Sequence, residues 1–255
     1  MPTKFFSGRV TQHAYFDQIL AQPSWEDLKI LDFGGNTGGF LQGAGERVEH
    51  RNYWCMDINK QVIEKGQQTY PNANFVHYDL YSSEYNPQGI YHLPIPTQDA
   101  PFDLIVAFSV FTHIHQIELV ALVNQLRAML SPDGVLAFTF TDASYDRRIN
   151  DPSLTHDTGV RHQLHTNREF YPHLTDEKIN AKAIEAAQSP WCILIEDQLH
   201  LAPGEHLSNQ NRQGVPNESY CVYYSVEHMA SLFPEAKILS PVAPQWQYCC
   251  VLGRG

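Results

Sequence analysis

Apolar residues along this chain of 255 residues fall into short strand-like runs separated by helical stripes, an order that builds a parallel sheet with helices on its faces. The spacing predicts a helix over residues 10–21, a strand at Lys29–Phe33, then a glycine-rich turn and a helix to about Val48. A second strand, Tyr53–Met56, runs into Asp57 and is followed by a helix carrying Val62 and Ile63. A third, Phe75–Tyr78, runs into Asp79. Beyond a loop holding Pro94, Pro96 and Pro101, a fourth strand is predicted at Phe102–Phe108. Leu119, Leu122, Val123, Leu126 and Met129 then form one stripe, which predicts an amphipathic helix over 116–130. Ser131-Pro132-Asp133-Gly134 reads as a turn opening a fifth strand, Val135–Thr141.

After Asp142 the regular alternation lapses for some 75 residues. Within that stretch the pattern predicts a helix at Asp176–Gln188, stopped by Pro190, and a strand-like run at Cys192–Glu196. Order resumes with a strand near Tyr220–Tyr224, a helix at Val226–Phe233 and a final strand at Trp246–Leu252. The expected division is therefore a core of residues 1–142 and 218–255, interrupted by an insertion over 143–217. Its polar loops carry Tyr145, His156, Arg161, His162, His165, Tyr171, Trp191, Asp197 and His200, and its aromatic content points to an ordered lid.

Composition narrows the function. With 43% hydrophobic and 18% charged residues the chain is an ordinary globular one, and no apolar run approaches the roughly 18 residues of a membrane helix. No signal-peptide pattern opens it, so the expected compartment is the cytoplasm. A net charge of −11 opposes docking on a phosphate backbone, which excludes nucleic acid from the expected partners. The five cysteines include no CxxC pair and read as small buried apolar residues, neither disulfides nor zinc ligands. Among the histidines, His113 and His115 lack a third ligand at a metal-binding spacing, as do His162 and His165. No metal is expected, and nothing in the pattern specifies an oligomer.

The candidate chemistry lies at the strand ends. Asp32-Phe33-Gly34-Gly35-Asn36-Thr37-Gly38 is a tight turn whose glycines, with Asn36, admit the left-handed backbone that lets a chain approach a ligand closely. Three acidic residues, Asp32, Asp57 and Asp79, lie in or at the ends of three successive strands, where open α/β sheets bind their ligands. The turn resembles the first motif of class I methyltransferases, an acidic residue followed by G-x-G-x-G, with Asn36 in place of the middle glycine. Phe108-Ser109-Val110-Phe111-Thr112-His113-Ile114 resembles the fourth motif of the small-molecule members, and Gln245–Leu252 resembles their closing strand. The resemblance covers about residues 1–141 and 218–255.

It implies a Rossmann-like, mostly parallel seven-stranded sheet with helices on both faces, an antiparallel last strand and a substrate-capping insertion over the acceptor. It implies S-adenosylmethionine as cofactor, cradled by Asp32, Gly34, Gly35, Asn36 and Gly38. Asp57, with Ile58 beside it, takes the ribose; Asp79 and Leu80 meet the adenine; Ser109 borders the reacting methyl. Tyr15 belongs to a segment that folds over the cofactor in such enzymes. The acceptor is then a small organic molecule methylated on oxygen or nitrogen. His113 is the expected general base, because a neutral imidazole accepts a proton near neutral pH. Two other readings stay open. One is a non-catalytic S-adenosylmethionine-binding protein. The other is an NAD(P)-dependent short-chain oxidoreductase, although G-x-G-x-x-G does not fit the turn and no Tyr precedes a Lys by four residues.

Overall fold

The computed structural model describes residues 12–21, 24–211 and 220–255. Phe5, Phe6 and the first two residues of the predicted N-terminal helix lie outside them. The elements follow the predicted alternation: α1 (Gln12–Leu20), β1 (Ile30–Phe33), α2 (Gly39–Ala44), β2 (Tyr53–Asp57), α3 (Lys60–Thr69), β3 (Asn74–His77), β4 (Phe102–Ala107), α4 (Gln116–Ala128) and β5 (Leu130–Phe140). After them come α5 (Gly159–Thr166), α6 (Asp176–Gln188), β6 (Trp191–Ile195), β7 (Gln198–Leu201), β8 (Tyr220–Tyr224), α7 (Val226–Leu232), β9 (Lys237–Leu239) and β10 (Tyr248–Gly253).

One sheet of seven strands, in the order β3-β2-β1-β4-β5-β10-β9, carries the fold. β10 runs antiparallel to both its neighbours, β5 and β9, and the pairs from β3 to β5 are parallel. Both faces are buried, and successive strand residues go to opposite cores. Ile30, Tyr53, Cys55, Leu104 and Val106 pack with α1, α2 and α3. Leu31, Phe33, Met56, Ile105 and Phe138 pack with α4 and α7.

Three elements differ from expectation. Ser131–Gly134 does not precede β5 as a turn: the strand begins at Leu130, opposite Phe102, and pairing resumes with Val135 opposite Leu104. The residues between are a bulge inside the strand, where Pro132, lacking an N–H, leaves no ladder position unfilled. Tyr220–Tyr224 does not join the main sheet. It pairs with Trp191–Ile195 in a separate sheet of order β7-β6-β8, and the seventh strand of the main sheet is Lys237–Leu239. Finally, α2 is short. Gly45, at φ 58°, turns the chain out of the helix before Val48.

Candidate active site

The strand order reverses between β1 and β4, which opens a crevice at the carboxyl ends of these strands. A cavity of about 700 Å³ occupies it, within the range that holds small-molecule ligands. Gly34, Asn36, Asp57, Ile58, Leu80, Ser109 and His113, all singled out in the sequence, line it.

The glycine turn is built to bend towards the cavity and to consume its own donors. Gly34 (φ 73°), Asn36 (φ 54°) and Gly38 (φ 86°) are all left-handed. The N–H groups of Gly34 and Gly35 go to Met56 O, that of Asn36 to Asp57 Oδ2 at 2.9 Å, that of Thr37 to Asn36 Oδ1 at 2.9 Å, and those of Gly38 and Gly39 to Gly35 O. A phosphate seated on such a turn would need those donors. Asp57 also accepts from Asn59 N at 2.8 Å, so each carboxylate oxygen holds one backbone N–H and keeps a further acceptor position. Burial pushes the Asp57 carboxyl above the ordinary range, and the N–H groups of Asn59 and Asn36, His77 and the Ile58 N–H pull against that rise.

Asp32, Gly35 and Gly38 support the turn from behind and do not line the cavity. Asp32 is 1% exposed and accepts from Tyr53 Oη at 2.6 Å. Burial above all, with Asp57 nearby, pushes its carboxyl up to about 7, against the Tyr53 hydrogen bond. Gly35 lies directly over it: a Cβ there would fall 2.5 Å from Asp32 Oδ2 and 2.7 Å from Cys55 Sγ. Gly38 begins α2 against the rings of Tyr70 and Phe75.

Two further residues singled out in the sequence lie away from the cavity lining. Asp79 does not face the cavity. β3 ends at His77, Tyr78 turns in with its hydroxyl on Leu93 O, and Asp79 turns out to accept from the Asn86 side chain at 3.0 Å. Tyr15 is fully buried in the core between sheet and α1, edge-on to Phe16 and Phe108, with its hydroxyl on Gln247 O at 3.0 Å.

Ser109 is left-handed (φ 60°), with its N–H on Thr139 Oγ1 at 2.7 Å and its hydroxyl accepting from Gln247 Nε2 at 3.0 Å. His113 closes a single 3-10 turn, Phe111–His113. Its Nδ1 lies 3.5 Å from Glu84 Oε2, and its ring stands perpendicular to that of Tyr85, centroids 5.5 Å apart. Sequence reasoning missed Glu84 and Tyr85, which lie in a polar loop without periodicity. It also missed a short strap of the insertion, the 3-10 turns Glu205–Leu207 and Asn209–Asn211, of which Glu205, Asn209, Gln210 and Asn211 reach the cavity. The aromatic and histidine residues expected to line a lid, Tyr145 and Trp191 among them, do not line it. The small sheet instead abuts the His113 turn, with Tyr224 Oη on Ile114 O at 2.8 Å and Trp191 edge-on to His115. Among the described residues no helix is long and apolar enough to cross a membrane.

The family match and a solved structure agree with this fold. Residues 31–136 match the family model described as a methyltransferase domain. Over 140 residues the chain is 23% identical to the non-reducing polyketide synthase mapC of Penicillium brevicompactum; the match takes in 52% of this chain and 5% of that far longer protein. The solved PH0226 protein from Pyrococcus horikoshii shares the fold, with a TM-score of 0.51 at 13% identity over 94% of this chain and 89% of that one. Magnesium protoporphyrin IX methyltransferase from Synechocystis, solved with bound SAH, aligns over 93% of this chain and 78% of its own, with a TM-score of 0.49 and 11% identity.

Proposed function

We propose, from the premise that residues 31–136 are a methyltransferase domain on a class I Rossmann-like sheet, that this chain uses S-adenosylmethionine to methylate an oxygen or nitrogen atom of a small organic molecule. The observation that carries the reading is the Asp57 turn. Its carboxylate keeps one acceptor position on each oxygen, matching a ribose diol, while the N–H groups that a pyrophosphate would need are already engaged. No Lys or Arg among the described residues lines the cavity to balance a dinucleotide's phosphates. This favours a nucleoside cofactor without phosphate over NAD(P).

The cofactor supplies a methyl group on a positively charged sulfur that leaves as a neutral thioether. The protein's part is to hold the acceptor about 3–3.5 Å from that carbon and to take up a proton where the acceptor must lose one. Gly34 and Asn36 bring the backbone close, Asp57 and Ile58 hold the ribose, Leu80 flanks the base and Ser109 borders the methyl. Asp32, Gly35 and Gly38 belong to the same cradle as its support. His113 is the general base, on a turn that the small sheet braces. Residues 143–217 are the insertion in a core drawn from 1–142 and 218–255, and with Tyr220–Tyr224 they form the small sheet that braces the His113 turn. The net charge of −11 supports a free small molecule over nucleic acid as the acceptor. Calorimetric titration with S-adenosylmethionine and, separately, with NAD tests the cofactor. Metabolite profiling with methyl-labelled cofactor then separates an enzyme from a protein that only binds it.

A further inference from the structure

We propose that the strap Glu205–Asn211 is part of the cofactor site, closing over the base and governing how fast the cofactor leaves, rather than roofing the methyl acceptor. The inference rests on the reading that Asp57 takes the ribose. On that reading Ser109 borders the methyl and Leu80 flanks the base, on opposite sides of the ribose along the strand order β3-β2-β1-β4. The amino-acid tail would then lie over the glycine turn and Ser109, at the ends of β1 and β4. The base would lie the other way, past the end of β3, between Leu80 and the first turns of α4.

That is where the strap is fastened. Glu118, buried on the first turn of α4, accepts from the backbone N–H groups of Gln210 at 2.8 Å and Asn209 at 3.2 Å. The Gln210 side chain accepts from His92 N at 2.6 Å and donates to Tyr81 O at 3.4 Å, both in the loop after β3. Asn209 accepts from Ser83 Oγ at 3.1 Å and donates to His113 O at 3.4 Å. Six hydrogen bonds thus tie two consecutive residues to three walls of the cavity: the loop after β3, α4 and the His113 turn. The strap is also braced within itself, with Ser208 N on Glu205 O at 2.8 Å and the Asn211 side chain on the same oxygen at 3.0 Å, so it moves as a unit.

The contacts that hold it shut are all made by the protein, so closure does not wait for a ligand, and exchange follows the rate at which the strap lifts. Lifting exposes the base end and leaves the Ser109 end unchanged. Weakening the strap therefore speeds entry and exit together, with a smaller change in Kd. Loss of a direct ligand contact would raise only the exit rate.

The test is the dissociation of radiolabelled S-adenosylhomocysteine from the full-length protein, chased with unlabelled ligand, alongside the association rate. Gln210→Ala removes two of the six hydrogen bonds and is expected to speed both rates roughly tenfold. Asn209→Ala does the same, and Gln210→Glu, which keeps the acceptor for His92 N, falls between wild type and Gln210→Ala. Thermal unfolding of each apo variant confirms that it folds; Asn209→Ala and Gln210→Glu keep the test available if Gln210→Ala does not. If wild type binds S-adenosylhomocysteine and the folded variants exchange it at the wild-type rate, the proposal is overturned while the cofactor assignment stands. If only the KM for the acceptor changes, the strap roofs the acceptor and the proposal is equally overturned. If wild type does not bind S-adenosylhomocysteine at all, the cofactor reading and the strap proposal fall together.

Discussion

Replacing Asp57 by Ala tests the cofactor site where its geometry is most specific. On the proposed reading the wild-type carboxylate offers each ribose hydroxyl a charge-assisted hydrogen bond, together about 3–6 kcal/mol before desolvation is subtracted. Part of that desolvation is already present in the free protein, because burial raises the Asp57 carboxyl before any ligand arrives. A net loss near 2.7 kcal/mol, roughly 10²-fold in Kd, is therefore expected. The same substitution removes the acceptor of Asn36 N and Asn59 N, so the apo protein should also lose about 1–2 kcal/mol of stability. Asp57→Asn keeps one acceptor oxygen but turns an NH₂ towards the other N–H group, and about a tenfold loss of affinity is expected. Affinity in wild type should fall on acidification. The ribose needs the ionised carboxylate, and the raised folded-state pKa brings protonation in at a higher pH than for an ordinary Asp. Calorimetric titration of the three proteins with S-adenosylmethionine decides the matter. If Asp57→Ala binds like wild type, the ribose is not at the end of β2 and the assignments drawn from it are wrong.

Further predictions concern the support and the chemistry. Asp32, with an ordinary value of 3.8 raised to about 7 in the fold, favours the folded state most below its unfolded-state pKa, and this contribution is lost as pH rises through 7. Asp32→Asn should therefore gain on wild type between pH 5 and pH 8, by up to about 2.7 kcal/mol; parallel unfolding curves at the two pH values would refute this. Gly35→Ala places a methyl against Asp32 and Cys55, and should cost about 1–3 kcal/mol in urea denaturation and abolish S-adenosylmethionine binding. His113→Ala should lower kcat roughly 10²–10⁴-fold with cofactor affinity unchanged. An unaltered pH–rate profile in that variant would leave His113 a structural residue of the turn.

Much of the crevice at the ends of β1 and β2 could be read from the chain because strong local signals coincide there. Apolar runs at Ile30–Phe33 and Tyr53–Met56 end in a glycine turn and an acid, and each signal constrains the next. Asp79 carried the same signal as Asp57, yet β3 ends two residues before it, and the change in alternation turns its side chain outward. Tyr15 lies on a stripe with His13 and Phe16, and such a stripe marks a core more directly than a lid. Lys237–Leu239 is too short and too exposed to show a strand period, whereas the stronger pattern at Tyr220–Tyr224 serves the smaller sheet. The strap could not be found by periodicity. Asn209 and Gln210 read as loop residues, and their importance lies in partners such as Ser83 and Glu118, distant in sequence.

The position of β10 bears on how the protein is made. Because Tyr248–Gly253 is threaded between β5 and β9, the apolar edge of β5 has no permanent neighbour while about a hundred further residues emerge from the ribosome, an interval of roughly 5–20 s. During that time the edge is open to pairing with another nascent chain. Vectorial synthesis thus inserts an interior strand of the sheet last, and conditions that slow translation between residues 140 and 248 should lower soluble yield more than a comparable delay before Phe102.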